Sequence, residues 1–352
     1  MALKIAALFL LILITFLPIL SARFFLFCLR FRNWLIYKDH FSEANYRTRE
    51  QRTKTIRIIM NTGWILTGIL GLYLWGYCYI FGRTDWENVS VTFQSKNIPP
   101  AFDGYRIVQI SDIHLATWTW DNLAIADLVS HIQKIHPDLI LFTGDLVTNK
   151  ANEARTFIPE LSKLHAPDGV YSIIGNHDNG PYFGISTMSE EIENGAQLAH
   201  YESEMGWHLL QNEHVFLTKT KANKTDSIAL IGVSDMAKSS YIEQYAKLYA
   251  AMQGTTPYFR ILMAHNPDQW RYEVVPKTDI PITLSGHTHA FQIKIAGMSP
   301  AAFKFKYWEG THYSKDSTQM LHVNIGVGQI AIPVRIGSAR PEITILELKR
   351  EK

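Results

Sequence analysis

Aspartate, histidine, asparagine and glycine recur in this sequence in five short groups, each at the end of an apolar run. They are Asp112-Ile-His114 after YRIVQIS, Gly144-Asp145 after DLILFT, Gly175-Asn176-His177-Asp178 after VYSII, His265 after RILMA, and Gly286-His287-Thr288-His289 after PITLS. Side chains two apart in an extended segment face the same way, so Asp112 and His114, like His287 and His289, each offer two donors in one direction. Imidazole, carboxylate and amide together form a mixed N/O donor set, which suits Mn2+, Fe, Zn2+ or Co2+. Glycines before Asp145, Asn176 and His287 let the backbone turn sharply beside an ion.

The chemistry served by such a set is the splitting of a phosphate ester or anhydride by water. Two cations about 3.5–4 Å apart can share and acidify one water while gripping the phosphoryl oxygens. Each residue also has a plainer reading. Asp112 alone is a turn residue, Asp145 alone a helix cap, and Gly-Asn-His-Asp alone a β-turn. His131, His136 and His322, outside the groups, read as core or surface histidines. Order, strand-end placement and the accompanying Gly and Asp together favour the metal site.

The elements that must position these groups read as an α/β domain. Tyr105–Ser111, Asp138–Thr143 and Gly169–Ile174 are expected strands, with more near 227–233, 259–264, 280–285, 321–325 and 343–348. In open α/β sheets, ligands collect beyond the carboxyl ends of strands, so five such loops can converge. Asp121 reads as the N-cap of a helix running to about Ile135, with Leu123, Ala126, Leu128, Val129 and Ile132 on its apolar face. Glu153–Leu164 is expected to be helical, and Asn179 to about Gly206 is the least legible stretch.

The ordered set D-I-H, G-D, G-N-H-D, H, G-H-T-H resembles that of the calcineurin-like metallophosphoesterases, over roughly Phe102 to Leu348. The resemblance implies a four-layer α/β/β/α sandwich of two mixed sheets. It implies that Asp112, His114 and His289 hold a first divalent metal ion (Mn2+, Zn2+ or Fe), that Asn176, His265 and His287 hold a second, and that Asp145 bridges both. His177 would protonate the leaving oxygen or stabilise the transition state, oriented by Asp178. The tail from Gly326 through Pro341-Glu342 resembles a membrane-associated bacterial branch that includes enzymes acting on UDP-2,3-diacylglucosamine. That branch usually follows its last motif with two glycines, whereas Ala290 and Phe291 follow His289 here.

Composition supplies the setting. Residues 1–82 read as a membrane anchor and 83–352 as the catalytic domain. Uncharged runs at about 5–22 and 58–81 are each long enough to span a bilayer. Between them, 23–57 carries nine basic and three acidic residues and reads as a cytoplasmic loop, which places the catalytic domain outside the cytoplasm. The first run has a rival reading as a cleaved signal peptide.

The chain holds 34 basic and 32 acidic residues; ten and three of these precede residue 83, which leaves 24 basic and 29 acidic beyond it. A domain of that sign suits a nucleic-acid backbone poorly. Two cysteines, Cys28 and Cys78, cannot make a thiolate zinc site. The expected partner is a phosphorylated, lipid-linked substrate at a membrane, and the expected reaction is dimetal hydrolysis of a phosphoester or pyrophosphate bond through a bridging hydroxide. The alternatives are a catalytically weak membrane scaffold and a nucleotide or nucleic-acid phosphodiesterase. Phe291, Ile293, Ile295, Met298, Phe303, Phe305, Tyr307 and Trp308, interleaved with Lys294, Lys304 and Lys306, read as an acyl-chain groove or an interfacial surface, or as a strand pair on the core. Arg335 and Arg340 read as phosphate ligands or structural ion pairs.

Overall fold

Alternation along the strands decides how the layers stack. The computed structural model describes residues 43–119, 121–178, 187–235, 247–331 and 333–351, together with Phe27 and Arg30. Contacts divide the chain into two units, Met1–Ile80 and Phe81–Lys352.

The second unit holds two six-stranded sheets and a two-stranded parallel pair, β10 (Ile293–Lys294) with β13 (Ile336–Gly337). The first runs β1 (Glu87–Ser95), β14 (Glu342–Arg350), β2 (Tyr105–Ile110), β3 (Leu139–Phe142), β4 (Val170–Ser172), β5 (His208–Leu209). The second runs β11 (Gly310–Tyr313), β12 (Met320–Val323), β9 (Ile282–Ser285), β8 (Phe259–Ala264), β7 (Lys224–Val233), β6 (Glu213–Lys221). Strands β2 to β5 are parallel neighbours, as are β12, β9, β8 and β7. β14 pairs antiparallel to β2, and β6 to β7, so both sheets are mixed.

Ile107, Leu139, Leu141, Ile261, Met263, Ile282 and Leu284 face inward and form the core between the sheets. Their chain neighbours Val108, Ile140 and Phe142 face the other way, onto helix α2 (Asn122–Lys134) and helix α3 (Met188–Glu204). Leu262, Ala264, Leu321 and Val323 face out of the second sheet, against the short helical turns at Leu248–Ala251 and Trp270–Lys277. A period of two thus makes each sheet apolar on both faces, as two buried layers require.

Asp121 caps α2 by accepting from Ala124 N, as its sequence suggests. The buried face is Ala124, Ile125, Leu128, Val129 and Ile132, while Leu123 is 82% exposed, so the helix is rotated from the expected face. The helix expected over Glu153–Leu164 is instead two 3-10 turns followed by the single turn Ile158–Leu161. Pro159 explains this: its ring and missing N–H bar a continuous α-helix through it. Within the illegible stretch, 179–186 lies outside the described residues, and Met188–Glu204 is a helix opened by a Thr187/Glu190 capping box.

In the first unit, helix α1 (Glu43–Ile80) is 38 residues long. Part of the expected basic loop is therefore helical. Residues 43–57 contain no Gly or Pro, are rich in Glu, Gln, Arg and Lys, and add a Glu50–Lys54 pair at 3.1 Å. Among the described residues one segment, Asn61–Ile80, is long and apolar enough to cross a membrane. The expected span at 5–22 lies outside the described residues.

Candidate metal centre

Parallel strands from both sheets end at one place. Asp112 and His114 follow β2, Asp145 follows β3, Asn176, His177 and Asp178 follow β4, His265 follows β8, and His287 and His289 follow β9. His289 Nε2 lies 3.1 Å from Asp112 Oδ1 and 3.0 Å from His114 Nε2. His114 Nε2 is 3.6 Å from Asp145 Oδ2, and His265 Nε2 is 3.2 Å from the same oxygen. Asn176 Oδ1 is 3.0 Å from His265 Nε2 and 2.7 Å from His287 Nδ1. Seven side chains thus form one chain of contacts, with Asp145 between its two ends.

This donor set fits divalent cations on physical grounds. Asp112 and Asp145 are at most 1% exposed, and buried carboxylates stay ionised only opposite positive charge. Burial would raise both, but the facing imidazoles outweigh it, His289 for Asp112 and His265 for Asp145, and hold them well below the usual carboxylate range. His265 is driven up by Asp145 against its own burial. Burial first, and then a neighbouring histidine, lowers His114 and His287 to about 3, so both rings keep a free lone pair at neutral pH. Asp112, His114 and His289, and likewise Asp112, Asp145 and His265, have ligand atoms within 4.8 Å of one another.

Backbone groups hold these side chains. Thr143 O lies 2.7 Å from His265 Nδ1, which turns Nε2 toward Asp145. His287 N donates to Asp112 Oδ2 at 3.0 Å, and His177 N donates to Asp145 Oδ1 at 2.8 Å.

Asp178 does something other than orient His177. Its carboxylate accepts from the N–H groups of Asp145 (2.8 Å), Gly175 (2.9 Å) and Val147 (3.1 Å). Burial and then the charge of Asp145 push it up to about 7. The His177 ring instead meets Thr148 O through Nδ1 at 2.8 Å and stands edge-on to His114, ring centres 4.9 Å apart.

Sequence reasoning missed Thr143 and Thr148, because a main-chain carbonyl leaves no trace in residue type. The loop after β12 was singled out by resemblance, but its bonds to the first donor loop were not readable for the same reason. There Val327 N donates to Ser111 O (3.0 Å) and Gly328 N to Asp112 O (2.9 Å). Arg335, 2% exposed, binds that loop through the carbonyls of Ile325, Gly326 and Gly328 at 3.0, 2.7 and 2.6 Å. Its guanidinium is therefore committed to structure. Arg340 pairs with Asp85 at 2.7 Å.

A two-sheet α/β sandwich with imidazole and carboxylate donors gathered at its strand ends has the architecture of a metal-dependent hydrolase. Residues 105–291 match the calcineurin-like phosphoesterase family, and the chain belongs to that family. Its reaction class is metal-dependent hydrolysis of phosphoric esters.

The chain is 33% identical over 273 residues to the uncharacterized metallophosphoesterase YkuE of Bacillus subtilis, covering 75% of this chain and 85% of that one. It is 30% identical to a zebrafish (Danio rerio) transmembrane protein with a metallophosphoesterase domain, covering 74% of this chain and 57% of that one. It is 28% identical to the UDP-2,3-diacylglucosamine pyrophosphatase LpxG of Chlamydia trachomatis, covering 68% and 83%.

Proposed function

We propose that the protein hydrolyses a phosphoester or pyrophosphate bond of a lipid-linked substrate at a membrane surface. Asp112, His114 and His289 would hold one divalent cation, Asn176, His265 and His287 the second, with Asp145 shared. The observation that carries this reading is the single chain of short contacts joining those seven side chains at the ends of five strands. The cations supply Lewis acidity and charge neutralisation at the phosphoryl group. His177, 7% exposed with Nδ1 engaged by Thr148, would be the acid that protonates the leaving oxygen or stabilises the transition state.

Three things support a lipid substrate: the candidate span Asn61–Ile80, the similarity to LpxG, and the exposed apolar segment after His289. An enzyme for a soluble metabolite gains little from a membrane anchor. The nine-to-three charge bias of 23–57 favours a catalytic unit outside the cytoplasm. A reporter fused after Lys352 that is active only in the cytoplasm would reverse that orientation.

The test is metal content and turnover together. Asp145→Ala and His114→Ala should each lose bound metal and cut aryl phosphodiester hydrolysis by several orders of magnitude. Wild-type protein should cleave a phosphate-linked lipid in mixed micelles at least about tenfold faster than its deacylated head group, equivalent to about 1.4 kcal/mol of transition-state binding. Normal turnover by Asp145→Ala with full metal content would remove the site assignment, and equal rates on lipid and head group would remove the lipid.

A further inference from the structure

Exposed apolar side chains are ordinary when scattered, and a cluster beside a reactive centre is not. Phe291 is 40% exposed, Ile295 60%, Met298 73% and Phe303 97%. The Ser299 hydroxyl donates to Ala290 O at 2.6 Å and folds the turn at Pro300–Phe303 back onto the one at His289–Gln292. The patch adjoins the metal centre, since Phe291 packs edge-on to Phe305 at 5.8 Å and Phe305 edge-on to His287 at 5.4 Å.

Backbone strain marks this segment too. His289, Ala290, Phe291 and Gln292 have φ of 51, 49, 50 and 60°, a run of left-handed residues that would cost a glycine little. Keeping Phe at such a position is costly unless its side chain is needed there.

Charge identifies the occupant. Lys304 Nζ stands 5.0 Å over the Phe305 ring, and Lys306 Nζ 5.1 Å over Tyr307. Both lysines are exposed, and among the described residues neither forms an ion pair. Apolar tips flanked by cationic groups are the composition of a surface that sits at the boundary between lipid head groups and acyl chains. The same chain carries a helix long and apolar enough to cross a bilayer. We propose that the Phe291–Lys306 surface docks on an anionic bilayer, with Met298 and Phe303 entering the apolar boundary and Lys304 and Lys306 at the lipid phosphates. The metal centre then opens at the height of the head groups. This deepens the lipid-substrate reading and rests on it only for turnover, because docking is measured without catalysis.

The experiment uses the full chain with Cys28→Ser and Cys78→Ser, a single Phe303→Cys carrying a bimane label, and nanodiscs containing shallow spin-labelled lipid. Quenching at position 303 should exceed several-fold that of a Phe216→Cys control on β6. It should weaken in Lys304→Glu/Lys306→Glu, and when phosphatidylglycerol is replaced by phosphatidylcholine. Quenching at 303 no greater than at 216 overturns the proposal, as does quenching indifferent to both charge changes. Met298→Ser/Phe303→Ser should keep aryl phosphodiester turnover and lose several-fold on lipid in the same discs. If wild-type protein shows the quenching but cleaves no lipid, the docking surface stands and the lipid substrate falls.

Discussion

Replacing Asp178 separates a scaffold role from a catalytic one. Its carboxylate is the acceptor for three buried N–H groups, two on Oδ2 (Asp145, Gly175) and one on Oδ1 (Val147). Asp178→Ala leaves all three without an acceptor, and each orphaned buried donor costs about 1–3 kcal/mol. Removing a buried carboxyl offsets part of this, since burial alone already disfavours its charge. A net loss of roughly 2–5 kcal/mol follows.

Asp178→Asn keeps the shape. Its amide oxygen can serve the Asp145 and Gly175 donors, but its NH2 then meets the Val147 N–H, so one donor is lost, for about 1–3 kcal/mol. For a domain of this size 1 kcal/mol moves the midpoint by about 2–4 °C. Thermal melts of the full chain in detergent, followed by near-UV circular dichroism, should show Asp178→Ala lower by on the order of 10 °C, with Asp178→Asn between it and wild type. Turnover should fall in the same order, because the loops so joined carry Asp145, Asn176 and His177. If the two variants melt together, or Asp178→Ala melts with wild type, the three-donor account is wrong.

His177→Ala should retain its metal and lose about 10²–10⁴-fold on a substrate with an alkoxide leaving group, but less on nitrophenyl esters, whose leaving group needs less protonation; equal losses on both would argue against the acid role. Glu202 is fully buried against the Ser172 hydroxyl, and burial pushes it up to about 8. A folded pKa above the usual carboxylate value means the stability it contributes is full below about 4.5 and is lost as pH rises toward about 8. Glu202→Gln should therefore raise the melting midpoint at pH 8 and change it little at pH 4.5, and a uniform shift across that range would contradict the burial argument.

The strands that carry the donors were legible because they are apolar on both faces and end abruptly in Gly, Asp and His. β1 and β6 were not, since edge strands such as ENVSVTFQS and EHVFLTKTK are half-exposed and depend on distant partners. β1 pairs with β14, whose register places Glu87 opposite Glu342. The capping box at Thr187 and Glu190 was a readable signal for α3, but Gly195 and Asn194 inside it weaken the helical pattern. Nine candidate residues could be picked out by type, whereas the partners of Asp178 and His177 could not be, because each is a main-chain group whose position only the folded loops decide.

Donor positions and glycine positions divide the work at this centre. Asp112, His114, Asp145, His287 and His289 all have left-handed φ, from 51 to 77°, which costs a residue with a side chain roughly 1–2 kcal/mol each. Glycine would relieve that strain but offers no donor to an ion, so the proposed donors keep the strained positions and glycines stand where backbones must approach. Gly286 is one: a Cβ there would fall on Ser111 Oγ and Asp112 Oδ2. Gly286→Ala must displace both Ser111 Oγ and Asp112 Oδ2, since a Cβ would lie 2.0 and 2.3 Å from them and both residues are packed at 0% exposure.

Overpacking of this kind costs about 1–3 kcal/mol in stability, a modest penalty for the fold. The geometric effect is larger, because a donor moved by about 1 Å can cost about 10²-fold in rate. Gly195→Ala, in the interior of α3 with open space around it, is the control and should stabilise by about 0.5–1 kcal/mol with turnover unchanged. Metal content by mass spectrometry, with turnover beside it, decides the matter: Gly286→Ala should lose both while remaining folded. A Gly286→Ala protein with wild-type metal and rate would show that Asp112 is not held where the centre needs it.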